Sequence, residues 1–231
     1  MQLSERLQAV ADFIRPCRVL ADVGTDHGYI PIYVLENKKA KKAIAMDINR
    51  GPMERAASHI ALHGLEAYID CRCCDGLAGL REGEADGVVI AGMGGTLMQQ
   101  ILEYGQNKLT NIDFMVLQPQ SEIGKVREYL GRSGYRIDRE TMVLEDGKFY
   151  VIMQVIRGSM DTDDPVRMEF GPCLLDDRHP VLLQYLKKSE RVCNQILNQL
   201  YDNGKTENDA RVLEIRKEMQ NIHSAYEYYE M

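Results

Sequence analysis

The feature that most constrains this fold is a regular alternation of short apolar runs with longer amphipathic segments. RVLADV, KKAIAMD and GVVIAG lack the polar alternation of half-exposed strands, so they predict strands buried on both faces. Segments such as RGPMERAASHIALHG separate them and carry apolar residues at helical spacing. Strand and helix alternate five times in residues 1–157, which predicts a doubly wound α/β sheet.

The end of this region predicts a pair of antiparallel strands. YRIDRETMVLED and GKFYVIMQVIRG are strand-like runs that meet at Asp146-Gly147, a dipeptide typical of tight hairpins. We therefore expect residues 1–157 to form one domain, with the hairpin at one edge of its sheet.

Residues 158–231 follow a different pattern. Residues 158–179 are polar and acidic and contain proline, and we interpret them as a linker. Residues 180–231 carry apolar side chains at steps of three and four in two segments, which the turn DNGKTEN joins. This pattern predicts an antiparallel helical hairpin of the coiled-coil type.

The overall composition narrows the compartment and the partners. No stretch approaches the roughly 18 apolar residues of a membrane span, and the first helix lacks the basic head of a signal peptide. We therefore expect a cytoplasmic protein without membrane association, as a monomer or weak oligomer. The net charge of −7 argues against a surface that is basic throughout, but it permits a local basic face.

The cysteines favour free thiols over a metal site. CRCC at 71–74 contains one C-x-x-C, and His59 and His63 lie four residues apart upstream. A structural zinc site usually has a second close pair of ligands, and neighbouring residues of a strand, such as Cys73 and Cys74, point to opposite faces. We expect no metal.

Polar and glycine residues follow the predicted strands, where an open α/β sheet binds its ligands. Asp47 ends the second strand, where a carboxylate accepts hydrogen bonds from ribose hydroxyls. Asp75 follows the third strand and could accept a hydrogen bond from an adenine amino group. Asp47 could instead cap a helix, and Asp75 could belong to an ordinary Asp-Gly turn. The candidate cofactor-binding residues are Asp22, Gly24, Asp26, His27, Gly28, Asp47, Ile48, Asp75, Gly76, Gly92 and Met93.

Asp26, in the turn ADVGTDHGY, distinguishes between two kinds of cofactor. A dinucleotide would place its pyrophosphate at this turn, and two like charges about 4 Å apart repel by about 4 kcal/mol at an effective dielectric near 20. S-adenosylmethionine has no phosphate and carries a sulfonium and an ammonium group. The turn therefore favours S-adenosylmethionine over NAD, although Asp26 could also be a helix cap without a ligand.

The glycine-rich AGMGG at 91–95 follows an apolar strand and would let a planar group approach the backbone. As a phosphate loop it is incomplete, because no Gly-Lys-Ser/Thr follows. Its alternative interpretation is a tight turn from strand to helix.

Several of these motifs together resemble one family. Five segments are similar to the TrmK family of bacterial tRNA N1-methyltransferases, which modify the adenine at position 22. These segments are LSERLQAVADFI, ADVGTDHGYIPIYV, KKAIAMDINRGP, EADGVVIAGMGGTLM and VLQPQ. The resemblance implies a class I methyltransferase fold, S-adenosylmethionine as donor, tRNA as partner and a C-terminal coiled-coil domain. It assigns Asp22, Gly24, Asp26, Gly28, Asp47, Asp75 and the AGMGG loop to the site. VLQPQ departs from the expected VLQPN, but Gln120 still offers an amide.

In such an enzyme Asp26 is the candidate catalytic residue, because a carboxylate would stabilise the cationic methylated base and could take its proton. The candidate substrate-binding residues are Tyr29, Gly94, Gly95, Gln118, Pro119, Lys187, Lys188 and Arg191. The hairpin cations could instead be solvated helix faces balanced by glutamates, and the basic run at 38–42 is a second candidate for phosphate contact.

Two other function classes stay open at this point. One is a methyltransferase that acts on a small molecule or a protein, and the other is a non-catalytic RNA-binding or assembly module. An NAD enzyme is disfavoured by Asp26.

Overall fold

A seven-stranded sheet organises residues 1–160 in the computed structural model, which describes residues 1–230. The strands are β1 (Cys17–Val23), β2 (Ala40–Asp47), β3 (Ile69–Cys73), β4 (Gly87–Met93), β5 (Phe114–Pro119), β6 (Tyr135–Glu145) and β7 (Lys148–Arg157). Their spatial order is β3-β2-β1-β4-β5-β7-β6. β1 to β5 pair in parallel, and the β6–β7 hairpin joins β5 through antiparallel pairing. The doubly wound sheet with a hairpin at one edge is confirmed.

One helix precedes the sheet, and others follow its strands. Helix α1 (Glu5–Phe13) comes before β1, and α2 (Tyr29–Glu36), α3 (Arg50–Leu62), α4 (Gly95–Tyr104) and α5 (Ile123–Arg132) follow β1, β2, β4 and β5, with short 3-10 helices at Gly76–Gly79 and Gln106–Leu109. Ser4 caps α1, because its hydroxyl oxygen accepts a hydrogen bond from the Leu7 backbone N–H at 3.3 Å.

The sheet is covered on both faces. Val88, Val89 and Ile90 follow one another in β4 and therefore point to alternate faces, yet all three are fully buried. Each such side chain contributes about 1.5–3 kcal/mol of burial free energy to folding. Burial on both faces of the sheet therefore explains why GVVIAG lacks polar alternation, as the sequence predicts.

The first helix is tied to the last hairpin of this unit. Beyond the end of α1, Arg15 forms an ion pair with Asp138 of β6 at 2.7 Å and a hydrogen bond to Gln154 of β7 at 3.0 Å. The Gln154 amide in turn donates to the carbonyl of Phe13. These contacts hold α1 against the β6–β7 hairpin, far from it in sequence.

Residues Asp161–Met231 form a second unit. Its helices are α6 (Pro165–Phe170), α7 (Pro172–Asp176), α8 (Pro180–Asp202) and α9 (Ala210–Glu230). Helices α8 and α9 pack against each other, with Leu182 and Leu186 of the first and Val212 and Ile215 of the second buried. A helical hairpin is therefore present, and its coiled-coil geometry stays a prediction.

The predicted linker at 158–179 requires correction. It contains α6 and α7, which pack against α9 and bury Phe170, Leu174 and Leu175. Asp164 caps α6, and Arg167 binds Asp176 through two hydrogen bonds of 2.7 Å each. The polar composition of the segment concealed these few buried apolar side chains. The boundary between the two units falls after residue 160.

Candidate active site

The turn after β1 is pinned to the neighbouring strand. The backbone N–H groups of Gly24 and Thr25 donate to the Met46 carbonyl of β2 at 2.8 and 2.9 Å. Gly24 has a φ of +76°, and a Cβ added there would overlap the Met93 side-chain methyl. The positive φ therefore favours glycine at position 24, whereas the flexible Met93 side chain could move aside.

Asp22, the second-to-last residue of β1, is a buried carboxylate and accepts a hydrogen bond from the Thr25 hydroxyl of this turn. Burial raises the pKa of Asp22 from its ordinary 3.8 to about 6; the Thr25 hydrogen bond opposes this rise, and the nearby Asp47 charge adds to it. Asp22 forms no ion pair with any of residues 1–230, and a buried negative charge of this kind favours a cationic ligand beside it.

Asp26 differs, because its side chain is 62% exposed and is already paired. Its Oδ1 lies 3.0 Å from Arg55 Nη2 and 3.5 Å from His27 Nε2. The guanidinium offsets part of the negative charge, so the repulsion that the sequence assigns to Asp26 is weaker than expected. The stronger electrostatic preference for a cation comes from Asp22, and Arg55, in α3, had no motif that identified it.

A first cavity of about 310 Å³, the strand-end slot, lies at the carboxyl ends of β2, β3 and β4. Its lining includes Gly24, Asp47, Ile48, Asp75, Gly76 and Met93. Asp47 Oδ1 accepts from the Asn49 backbone N–H at 2.7 Å, and Ile48 is 60% exposed. An apolar slot with carboxylates at 47 and 75 suits a nucleoside, whose base is flat and whose ribose offers hydroxyl donors.

A second cavity of about 270 Å³, the glycine-turn pocket, adjoins the slot at Gly24. Its lining includes Arg6, Asp22, Asp26, Tyr29, Gly92 and Gln120. The Tyr29 ring stacks on His27, with centroids 5.3 Å apart, and tilts against His59 at 5.6 Å. The strand-end slot, which suits a nucleoside, therefore lies beside a pocket that contains both acidic and basic groups.

Several predicted residues lie outside both linings, as the described residues form them. Gly28 packs toward Ala56 and Ile60 of α3. Gly94 and Gly95 begin α4, where the Gly95 N–H donates to Ser121 Oγ at 3.2 Å. The ring of His27 supports Tyr29 instead of facing a cavity.

The interpretation of Gln118 and Pro119 as direct substrate contacts also requires correction. Gln118 is fully buried, and its Oε1 accepts from Arg6 Nη1 at 2.9 Å and from the Gly92 N–H at 3.1 Å. Pro119 is likewise buried. Because β5 ends at Pro119, Gln118 lies within the covered sheet, whereas Gln120 lies beyond the strand and lines the glycine-turn pocket.

The predicted RNA-contacting cations lie on the second unit. Lys187, Lys188 and Arg191 are exposed on α8. Among residues 1–230, neither Lys187 nor Arg191 forms an ion pair. On α9, by contrast, Arg211 pairs with Glu214 and Arg216 with Glu207, each at 2.6 Å. Lys187 and Arg191 are thus more available to an anionic partner than Arg211 and Arg216.

Residues 1–230 contain no group of three or more His, Cys, Asp or Glu side chains placed to hold a metal ion. None of their helices is long and apolar enough to cross a bilayer.

Comparison with known proteins places the chain in a family. A profile described as "Methyltransferase domain" matches residues 3–153. A Bacillus subtilis (strain 168) protein named tRNA (adenine(22)-N(1))-methyltransferase is 36% identical over 218 residues, which make up 92% of each protein.

Solved structures agree with this match. The crystal structure of B. subtilis m1A22 tRNA methyltransferase TrmK has a TM-score of 0.87 at 34% identity, covering 97% of this chain and 98% of that one. Streptococcus pneumoniae Sp1610 in complex with S-adenosyl-L-methionine has a TM-score of 0.87 at 33% identity, covering 97% and 99%. The chain therefore belongs to the tRNA (adenine(22)-N(1))-methyltransferase family.

Proposed function

We propose that this chain transfers a methyl group from S-adenosylmethionine to N1 of the adenine at position 22 of tRNA. The observation that carries the proposal is the pair of adjoining cavities that share Gly24. One suits a nucleoside donor, and the other can seat a base beside it. The names of the relatives support the same reaction, since they specify m1A22 in tRNA and, for Sp1610, bound S-adenosyl-L-methionine.

The residues of the strand-end slot fit the donor. When bound there, S-adenosylmethionine supplies a methyl group activated by a sulfonium. Asp47 would accept hydrogen bonds from the ribose hydroxyls, Asp75 would accept one from the adenine amino group, and Ile48 and Met93 would cover the faces of the base. Asp22, buried in the lining of the glycine-turn pocket, would favour the cationic end of the donor.

In the glycine-turn pocket, Asp26 would serve the acceptor. An adenine that has gained a methyl group at N1 is cationic until a proton leaves its exocyclic amine. The Asp26 carboxylate would stabilise that charge and accept the proton. Arg55, 3.0 Å away, would hold the carboxylate in place, and Tyr29 would pack against the base.

The target base must leave its stack to enter such a pocket, so the rest of the tRNA has to be held elsewhere. We assign this contact to Lys187, Lys188 and Arg191 of α8, which are exposed. Lys39, in the basic run at 38–42, has a structural role instead. Its Nζ donates to the Ala11 carbonyl at 2.6 Å, and burial lowers its pKa.

The direct test uses unmodified tRNA transcripts and donor with a labelled methyl group. We expect label in the RNA and a reverse-transcriptase stop at adenine 22, since a methyl at N1 blocks the Watson–Crick edge. A transcript with guanine at position 22 is the matched control and should take up no label. Labelling at another base, or equal labelling of the control, would contradict the assigned position.

A further inference from the structure

Arg6 brings a positive charge without an ionic partner to the glycine-turn pocket. Its Nη1 donates to Gln118 Oε1 at 2.9 Å, and its guanidinium carbon lies 5.6 Å from the centre of the Tyr150 ring. Glu145 accepts a hydrogen bond from the Arg6 backbone N–H at 3.1 Å rather than from the side chain. Within residues 1–230 the guanidinium forms no ion pair, so most of its N–H donors are available to a ligand.

The position of this guanidinium is fixed by a buried amide. Gln118 is fully buried, and its Oε1 accepts from both Arg6 and the Gly92 N–H, while its Nε2 donates to the Pro119 carbonyl at 3.2 Å. An arginine held in this way loses little conformational freedom when it binds a ligand. The buried Gln118 therefore holds the Arg6 guanidinium in position at the pocket.

A second donor converges on the same place. Arg6 Nη1 and Gln120 Nε2 each lie 3.8 Å from the point where a Cβ of Gly92 would be. Gly92, with a φ of +81°, leaves that point free of any side chain. One part of the pocket thus offers hydrogen-bond donors and positive charge, whereas Asp22 and Asp26 offer acceptors and negative charge.

An adenine nucleotide complements both parts of the pocket. Its base offers an amino group as a hydrogen-bond donor, and its phosphate offers anionic oxygens as acceptors. We propose that Arg6 and Gln120 bind a phosphate that flanks the target adenosine, so that Arg6 positions the nucleotide while Asp26 faces its base. This inference rests on the proposed function and adds the substrate group that the donors recognise. An arginine guanidinium and a side-chain amide suit phosphate oxygens well.

The test pairs a change in the protein with a change in the RNA. Unmodified tRNA is assembled with one neutral methylphosphonate, at the linkage 5′ or 3′ of adenine 22. Methyl transfer is measured as kcat/KM for the wild-type protein, Arg6→Gln and Arg6→Lys. Arg132→Gln is the matched control, because it removes the same charge from an exposed arginine of α5 paired with Glu128.

We expect the wild type to lose about tenfold in kcat/KM at one of the two linkages, since a charge-assisted hydrogen bond is removed. Arg6→Gln should lose about tenfold on ordinary tRNA and less than about twofold more on the neutral linkage, because the contact is already absent. Arg6→Lys, which keeps the charge, should retain part of the sensitivity to the linkage. Arg132→Gln should behave as the wild type.

A merely structural role for Arg6 would give losses that multiply, to about a hundredfold for Arg6→Gln on the neutral linkage. That result, or wild-type activity insensitive to both linkages, overturns the phosphate contact and leaves the proposed methylation intact. If the wild-type protein methylates none of the tRNAs, the proposed function fails and the phosphate contact fails with it.

Discussion

The strand-end slot and the glycine-turn pocket share Gly24, yet they are built from different kinds of residue. The slot is lined mainly by apolar side chains and by residues at the ends of β2, β3 and β4. The pocket has Arg6, Asp22 and Asp26 in its lining, drawn from α1, the end of β1 and the turn after β1. In the slot, shape and a few carboxylates would select the ligand, whereas in the pocket opposed charges would orient it.

This contrast predicts that substitutions in the two cavities separate turnover from donor binding. The largest effect is expected in the pocket, at Asp26. Asp26→Asn should lower kcat by about 100-fold, because the neutral amide neither stabilises the methylated base nor accepts its proton. The affinity for S-adenosylmethionine should change little. Single-turnover methylation and calorimetry measure the two quantities.

Arg55→Gln is the companion variant. It leaves the Asp26 charge in place but removes its partner at 3.0 Å, so its loss of turnover should be smaller than that of Asp26→Asn. Full turnover by Asp26→Asn with normal donor binding would show that Asp26 has no role in methyl transfer.

The opposite outcome is expected in the slot, at Asp47. Asp47→Ala should weaken S-adenosylmethionine by about thirtyfold, or about 2 kcal/mol, through the loss of charge-assisted hydrogen bonds to ribose. Its turnover at saturating donor should stay near that of the wild type. Asp113→Ala, at the other end of the sheet beside β5, is the matched control. Equal donor affinities of Asp47→Ala and Asp113→Ala would contradict a contact between Asp47 and the bound nucleoside.

Asp22, in the lining of the glycine-turn pocket, predicts a pH dependence. Its folded-state pKa of about 6 exceeds the ordinary 3.8, so the folded protein holds this proton more tightly than the unfolded chain does. The Asp22 contribution to the unfolding free energy is therefore present below about pH 4 and is lost as pH rises through about 6, by about 3 kcal/mol.

Denaturation of the ligand-free protein across pH 4–8 measures this effect. Asp22→Asn, which cannot ionise, should flatten the decrease between about pH 4 and 6 relative to the wild type. Donor affinity of the wild type should strengthen over the same interval, since the ionised carboxylate favours a cation. Parallel stability curves for the two proteins would show that Asp22 does not titrate in this range.

The smallest effect is expected outside both cavities, on α8. Lys187→Gln should weaken tRNA binding by a factor of about two and reduce the slope of log affinity against log salt by about 0.7–0.9. Arg216→Gln should change the slope less, because Arg216 is already paired with Glu207 at 2.6 Å. Filter binding at several salt concentrations compares them, and indistinguishable slopes for Lys187→Gln and the wild type would argue against a phosphate contact.

The same contrast explains what the sequence could predict. Parallel strands end at a common edge, so the apolar runs that located β1 to β4 also located Asp47, Asp75 and Met93 near one another. Arg6 and Arg55 lie on amphipathic helices, where a basic residue is indistinguishable from a solvated one without the packing. Their relevance depends on contacts between segments far apart in the chain.

Two other misassignments have local causes. The motif LQPQ offered two glutamines, and only the geometry after β5 decided that Gln118 faces inward and Gln120 outward. In residues 158–179, a few buried side chains such as Phe170 and Leu174 outweigh the acidic composition that suggested a linker. In both cases the decisive quantity was the direction of single side chains, which composition does not encode.

The docking of α1 on the β6–β7 hairpin, through Arg15, Asp138 and Gln154, has a consequence for synthesis of the protein. A nascent chain that has emerged only as far as β5 contains every residue of the strand-end slot. It still lacks the surface that anchors the helix carrying Arg6. Helix α1 also contacts α2 and β5, but only translation past Arg157 completes the surface on which it packs, so a shorter nascent chain would contain the donor-site residues without the full support for Arg6.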